Sequence, residues 1–306
     1  MLIKAYSSSA NLGAGFDILA LAHNAFEDSV EMEAIPNSTL QVLVTGDGVP
    51  NEVDKNSASY AVYRLLSELD VKVKVKMKVI KGIPAGLGLG SSGASAVAAV
   101  VGVNNLLKLG LDKQELVRAS MIGEIASSGS AHPDNVAASV YGGVVAVLNT
   151  EPVTVSPIPV NLNFSLLLFI PVLQLKDKTK KAREMLPRNV ELGKMVRNSR
   201  YLSSTILGLV KGDRELLRLG LNDEIVEVAR SPLFPHYEKL KKISIENNAI
   251  GACVSGAGPT IAVFVDEYSD KNKIKKEGLE ICETYSQKCL VKEAKIAGGA
   301  WVERWN

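Results

Sequence analysis

Gly82-Ile-Pro-Ala-Gly-Leu-Gly-Leu-Gly-Ser-Ser-Gly-Ala-Ser-Ala96 reads as a glycine loop running directly into a helix. Gly86, Gly88 and Gly90 allow positive φ and close approach of the backbone to a ligand, because no Cβ stands in the way. The Ser91, Ser92, Gly93 run opens the helix with free N–H groups and the positive end of its dipole, which together suit an anion. A Walker A loop needs a Lys after its last glycine, whereas Ser91 and Ser92 follow Gly90 here. Gly88, Gly90 and Gly93 do spell G-x-G-x-x-G, but the strand before them argues against a dinucleotide fold. Val71, Val73, Val75, Met77 and Val79 alternate with Lys72, Lys74, Lys76 and Lys78, which predicts an antiparallel strand with one wet face rather than a buried parallel one. The segment Leu111–Ser127 after the glycine helix also reads as helix, not as the next strand of a Rossmann unit.

Pro84 followed by Gly-Leu-Gly-Ser-Ser resembles the ATP loop of the GHMP small-molecule kinases. That resemblance makes Pro84, Gly86, Leu87, Gly88, Leu89, Gly90, Ser91, Ser92 and Gly93 the expected ATP contacts. Four further stretches are similar to homoserine kinases within that group. Ser7 to Asp17, which reads as a polar, glycine-bearing loop, is similar to their P-x-T/S-x-A-N-L-G-P-G-F-D, with Ala14 in place of the second Pro. Gly129 to Ala137 contains the His132-Pro133-Asp134-Asn135 tetrapeptide of their G-H-P-D-N-V-A-P-A, with Ala131 and Ala138 where that pattern has Gly and Pro. Ser255 to Thr260 reproduces S-G-A-G-P-T, a tight loop between two strands. The basic segment Leu175–Pro187 resembles T-x-x-A-R-x-x-L-P through Thr179, Ala182, Arg183, Leu186 and Pro187.

The resemblance implies MgATP and L-homoserine as the bound molecules. It implies Asn11, Asp17, His132, Thr179, Arg183 and Arg230 as amino-acid contacts, Asp134 or Asn135 beside the reacting hydroxyl, and Ser92 with Glu124 as magnesium ligands. The residues support much of this independently. A planar guanidinium, at Arg183 or Arg230, can make two parallel hydrogen bonds to a carboxylate. Glu124 sits among Ile122, Ile125 and Ala126, and a carboxylate in apolar company needs a partner. Mg²⁺ takes one or two protein oxygens and fills its octahedron with phosphate and water. Asp134 is the candidate base, with alignment by Asn135 as the alternative. Two rival readings remain: another kinase of the group, of shikimate or mevalonate type, and a non-catalytic ligand sensor, which would be expected to lack Ser92 or Glu124.

The 306 residues, 46% apolar and 22% charged, suffice for two domains. Their 35 basic and 33 acidic residues nearly cancel, which argues against nucleic acid or a membrane surface and for small ligands. No signal core or bilayer-length apolar run is read, so the cytoplasm is the expected compartment. Cys253, Cys282 and Cys289 are odd in number and lack C-x-x-C spacing, so they are expected to be core thiols.

The predicted class is α+β. Expected elements include strands Leu2–Tyr6, Glu27–Pro36 and Thr39–Thr45, helix Asn56–Leu69 and strands Gly142–Leu148 and Val153–Ile158. Beyond Pro159 come strand Asn163–Pro171, helices between Asn189 and Asn247, strands Ile250–Val254 and Thr260–Val265, helix Ser269–Ser286 and strand Leu290–Glu303. That second half has the ferredoxin-like β-α-β-β-α-β order. The resemblance implies the two-domain GHMP kinase fold: a ribosomal protein S5 domain 2-like ATP-binding domain over 1–158 and a ferredoxin-like domain over 159–306. Homodimers are common in that family.

Overall fold

The computed structural model describes residues 1–129, 131–172, 178–285 and 288–303, with the backbone alone at 127–128 and 178–180. β1 (Leu2–Asn11) and β2 (Gly15–Pro36) make a long antiparallel hairpin. β3 (Gln41–Thr45), α1 (Ser57–Glu68) and β4 (Val73–Ile80) follow. The glycine loop then feeds α2 (Ser91–Leu107). Next come α3 (Lys113–Met121), α4 (Gly123–Ser128), α5 (Pro133–Tyr141), β5 (Val144–Thr150) and β6 (Val153–Ile158).

The alternating Val/Lys segment is indeed half wet: Val73, Val75, Met77 and Val79 are buried, while Lys76 and Lys78 are exposed. β4 pairs antiparallel with β2 as expected, and parallel with β3. Three expectations need correction here. The serines Ser7–Ser9 lie inside β1 and not in a loop, and β2 starts at Gly15, twelve residues before Glu27. Serine normally favours turns, but these side chains have buried partners. Ser7 Oγ lies 3.0 Å from His23 Nδ1 and Ser9 Oγ 3.2 Å from its Nε2. Burial pushes His23 down to about 3, so its ring is neutral. The helix expected over Leu111–Ser127 is two helices that meet at Ile122 and Gly123, glycine being a weak helix residue. The capping box of Asp112 and Glu115 is present.

The second half opens with β7 (Ser165–Pro171) and α6 (Lys178–Glu184). The expected helical region contains α7 (Leu192–Lys211), α8 (Arg214–Gly220), α9 (Val226–Arg230) and α10 (Tyr237–Glu246). β8 (Gly251–Val254), β9 (Ile261–Val265), α11 (Lys271–Thr284), β10 (Cys289–Ala294) and β11 (Trp301–Glu303) complete the chain. The sheet order β10-β7-β9-β8 is the ferredoxin-like arrangement. The expected single strand Leu290–Glu303 is two strands in different sheets, for β11 crosses back to pair with β1. Cys282 and Cys289 form a disulfide that joins α11 to β10, and only Cys253 is a free, buried thiol. An odd cysteine count could not reveal that pair, because the proximity is tertiary.

A buried polar network fixes α9. Asp223 accepts hydrogen bonds from the N–H groups of Ile225, Val226 and Glu227. Glu227 in turn accepts from the Tyr237 hydroxyl at 2.6 Å and from the Val254 N–H at 2.8 Å. Burial pushes the Glu227 carboxyl up to about 7, against the pull of Lys241. A carboxyl whose folded value is raised holds its proton more tightly when folded. Its contribution is complete below the unfolded value near 4.5 and is lost as pH rises toward 7. Glu293 acts oppositely, since hydrogen bonding to Lys271, with help from Lys275, lowers it to about 2. That contribution is lost as pH falls below 4.5. Relative to a protein without it, the Glu227 carboxyl should therefore make thermal stability decline as pH rises from about 4.5 to about 7. In scanning calorimetry Glu227→Gln, which keeps an acceptor for Val254, should flatten that decline. An unchanged slope would remove Glu227 from the account.

Candidate active site

The glycine loop hangs from one buried carboxylate. Asp28, in β2, is fully buried and accepts 2.9 Å hydrogen bonds from the N–H groups of Gly82 and Ile83. It also takes the Ser95 hydroxyl at 2.8 Å and an ion pair from Lys81. Lys81 reaches on to the Ser91 carbonyl at 3.0 Å and to Ser95 Oγ at 2.8 Å. Both ends of the loop are thereby fastened to β2. Gly86, Gly88 and Gly90 have φ of 72°, 80° and 70°. Gly90 is the N-cap of α2 with no capping side chain, so the first N–H groups of the helix face the cavity in front of it.

The Ser255–Thr260 loop packs on the glycine loop from the second sheet. Ser255 Oγ donates to the Gly88 carbonyl at 2.6 Å and lies 2.7 Å from Ser9 Oγ, and Gly256 N–H donates to the Ala10 carbonyl at 3.0 Å. A Cβ on Gly88 would fall 2.2 Å from the Ser255 carbonyl oxygen. Asn11 joins the same junction, donating to the Gly256 carbonyl at 2.8 Å and accepting the Asp17 N–H at 3.2 Å.

One cavity of about 840 Å³ runs past all these parts and takes in Ser92, Glu124, Asp134, Asn135, Arg183 and Arg230. That volume suits a nucleotide together with a small second molecule. Glu124 is on α4 at its inner wall. Burial pushes its carboxyl up to about 7, opposed chiefly by a hydrogen bond with Ser92. Among the described residues no group of three or more His, Cys, Asp or Glu side chains could hold a metal ion alone. One carboxylate beside one hydroxyl nevertheless fits a magnesium ion whose other ligands are phosphate and water.

Charges of both signs meet at the far end. Arg183 makes a two-bond fork with Asp17, at 2.9 and 2.7 Å, and also donates to His132 Nδ1 at 2.9 Å. Since the guanidinium donates, the ring nitrogen accepts. Burial, then the Arg183 charge, lowers His132 below its ordinary value. Arg230 is 3% exposed and donates to the Ala182 carbonyl at 2.8 Å. Burial, followed by repulsion from Arg183, brings it down to about 10. Both guanidinium carbons lie over the Phe16 ring, at 4.9 and 5.1 Å. Asp134 is buried at the start of α5, and burial pushes it up to about 6. Asn135 Oδ1 accepts the Ser8 hydroxyl at 2.8 Å.

The family comparisons agree with this geometry. Residues 56–143 match the model for the GHMP kinases N terminal domain, and residues 205–284 match GHMP kinases C terminal. The chain belongs to the GHMP kinases. It is 62% identical to a homoserine kinase of Sulfurisphaera tokodaii over 99% of both chains. Identity to a homoserine kinase of Saccharolobus solfataricus is 56%, over 98% of this chain and 97% of that one. A homoserine kinase structure from Cytophaga hutchinsonii superposes with a TM-score of 0.89 at 30% identity, covering 98% of this chain and 96% of the other. A mevalonate kinase structure from L. major reaches 0.69 at 17% identity, which speaks to the GHMP kinase fold alone.

Of the expected site residues with described side chains, all but Pro84, Leu87 and Gly93 line the cavity. Thr179 lies in α6, but its side chain is outside those described, as are residues 175–177 of the basic segment. Sequence reading missed Asp28, Lys81, Ser8 and Phe16, and it missed the stretches Asp47–Pro50 and Lys55–Ser57 that also line the cavity. The signals were slight: Lys81 falls out of step with the Val/Lys alternation, and Asp28 interrupts a strand.

Gly88→Ala should abolish binding of a non-hydrolysable ATP analogue, because its wall is backbone rather than a movable side chain. Gly90→Val should do the same, since its Cβ would meet Ser8 Oγ at 2.2 Å and Asn135 Oδ1 at 3.0 Å. Titration calorimetry on folded variants is the check, and unchanged affinity would put the nucleotide elsewhere.

Proposed function

We propose that this GHMP kinase transfers the γ-phosphoryl group of ATP to the side-chain hydroxyl of L-homoserine, giving O-phospho-L-homoserine on the route to threonine in the cytoplasm. The observation that carries the reading is the Asp17, Arg183, Arg230 cluster on the cavity wall. It offers a carboxylate to an α-ammonium and two guanidinium groups to an α-carboxylate, as a zwitterion requires. The names of the relatives and the two-unit layout, 1–158 and 159–306 with β11 returned to the first sheet, support it.

The hydroxyl oxygen attacks the γ-phosphorus as the bond to the β–γ bridging oxygen breaks. Glycine-loop N–H groups and the α2 dipole hold the triphosphate, and the Lys81–Asp28 pair fastens the base of the loop. Asn11, Asp17, His132, Arg183 and Arg230 orient the amino acid. Ser92 and Glu124 would hold magnesium, which neutralises phosphate charge when bound. Asn135, anchored by Ser8, aligns the hydroxyl, and Asp134 accepts its proton, with a value of about 6 that keeps much of it ionised at neutral pH. The pairing of Ser92 with Glu124 weighs against a non-catalytic sensor.

Arg183 has a double part, because the Asp17 carboxylate fills its fork in the free protein. Arg230→Ala and Arg183→Ala should each lower kcat/KM for homoserine roughly ten to a hundredfold, equivalent to about 1.5–3 kcal/mol, with ATP binding little changed. Lys at either position should not restore the loss, since an ammonium lacks the planar fork. Retained homoserine kcat/KM in the Ala variants, or loss of ATP affinity instead, would sink the assignment. Glu124→Ala should nearly abolish turnover at saturating magnesium in a folded protein. A rate within about threefold of wild type would remove the metal role.

A further inference from the structure

Glu227 is a buried carboxylic acid to which the phosphoryl transfer gives no part. It is 8% exposed, on α9, and its two oxygens face different elements. The Val254 N–H, in β8, donates to Oε1 at 2.8 Å, and the Tyr237 hydroxyl, in α10, donates to Oε2 at 2.6 Å. Lys241 donates in turn to that hydroxyl at 3.1 Å. Burying a carboxyl costs free energy that an apolar side chain of the same size would not. An apolar side chain, however, could not accept the Val254 N–H. β8 ends its sheet, with β9 on one side only, so an amide that turns outward from it needs an acceptor elsewhere in the protein.

Helix α9 needs such a fastening. Its five residues make about one and a half turns, too few to hold a helix by themselves. Asp223 fixes where it starts, by accepting from the N–H groups of Ile225, Val226 and Glu227. Glu227 fixes which side of it meets β8, and Val228 on the outer side is 56% exposed. Arg230 follows Glu227 by three residues, so the two share a face. Arg230 Nε donates to the carbonyl of Ala182 at 2.8 Å, and Ala182 precedes Arg183 in α6. Arg183 in turn holds Asp17 and His132. One buried carboxyl thus stands behind both guanidinium groups.

We propose that Glu227 is a positioning residue for the amino-acid clamp: by pinning α9 to β8 it sets the place of Arg230 and, through Ala182, that of Arg183. The inference rests on the reading of the Asp17, Arg183, Arg230 cluster as the homoserine site. The glycine loop does not hang on Glu227 alone, because Ser255 holds Gly88 and Gly256 holds Ala10 by bonds of their own. Loss of the carboxyl should therefore fall on homoserine far more than on ATP.

In steady-state kinetics of the full chain, Glu227→Leu should raise KM for homoserine roughly tenfold. Its affinity for a non-hydrolysable ATP analogue, by titration calorimetry, should stay within about threefold of wild type. Glu227→Gln should recover most of the homoserine loss. Its carbonyl still accepts from Val254, its amide donates to Tyr237, and Tyr237 turns its own proton to the Ala252 carbonyl 3.1 Å away. Combination with Arg230→Ala separates positioning from simple destabilisation. If Glu227 works through Arg230, Glu227→Leu should cost little in a protein that already lacks Arg230, whereas an independent defect would add in full. Should Glu227→Leu not fold, Tyr237→Phe, which removes one of the two donors, carries the same comparison with a rise in KM of about threefold. Full additivity with Arg230→Ala, a glutamine no better than leucine, or a homoserine KM unmoved in the folded variants would each overturn the inference while leaving the homoserine reading in place. No effect of Arg230→Ala itself would sink that reading, and this inference with it.

Discussion

A fully buried aspartate holds the loop and both sides of its entry in place. Asp28 takes a cation, two backbone N–H groups and a hydroxyl, so its charge is neutralised and its lone pairs are occupied without water. A buried ion pair of this sort adds little net stability against an apolar pair of the same shape, yet losing one member leaves an uncompensated charge. Its worth lies in position. The carboxylate fixes where β4 ends, where the glycine loop departs and where α2 begins, and a phosphate cradle of backbone N–H groups functions only if those three are rigid.

The cradle is shared between the two sheets. Gly88 approaches Ser255 so closely that no side chain fits between them, and Asn11 ties the β1–β2 turn to the same junction. The conformation of the nucleotide loop is thus coupled to β8 and β9. Through the hydrogen bond of Glu227 to Val254 it is coupled also to α9, which carries Arg230. The glycine loop and the Arg183–Arg230 cluster share one rigid frame, which suits a reaction whose rate rests on alignment and charge neutralisation.

Around Phe16 the charges are arranged to satisfy one another in the free protein. Asp17 occupies the fork of Arg183, His132 accepts from the same guanidinium, and Phe16 lies beneath both arginines. Two guanidinium groups over one ring repel, and burial at Arg230 sharpens the cost. A ligand carrying both an ammonium and a carboxylate can enter such a cluster by exchanging partners with it, whereas a ligand of one charge leaves an ion unpaired. The partial burial of the cluster makes that penalty large enough to discriminate.

Local chemistry made the glycine loop legible, because positive φ and an anion-binding helix start depend on residue type and spacing alone. For the same reason the half-wet β4, the Asp112 cap and the ferredoxin-like element order could be read from the chain. The motif resemblances carried Asp17, His132, Arg183 and Arg230, which lie far apart in sequence. What they could not carry was the partner of each group. Serines in β1 read as a loop until His23 and Ser255 supply buried partners, and Asp28 and Lys81 look like surface charges until the hairpin brings them together. The return of β11 to the first sheet and the filling of the Arg183 fork by Asp17 belong to the same class. Each is a contact between distant segments, and its energy comes from desolvation and proximity that exist only once the chain has folded.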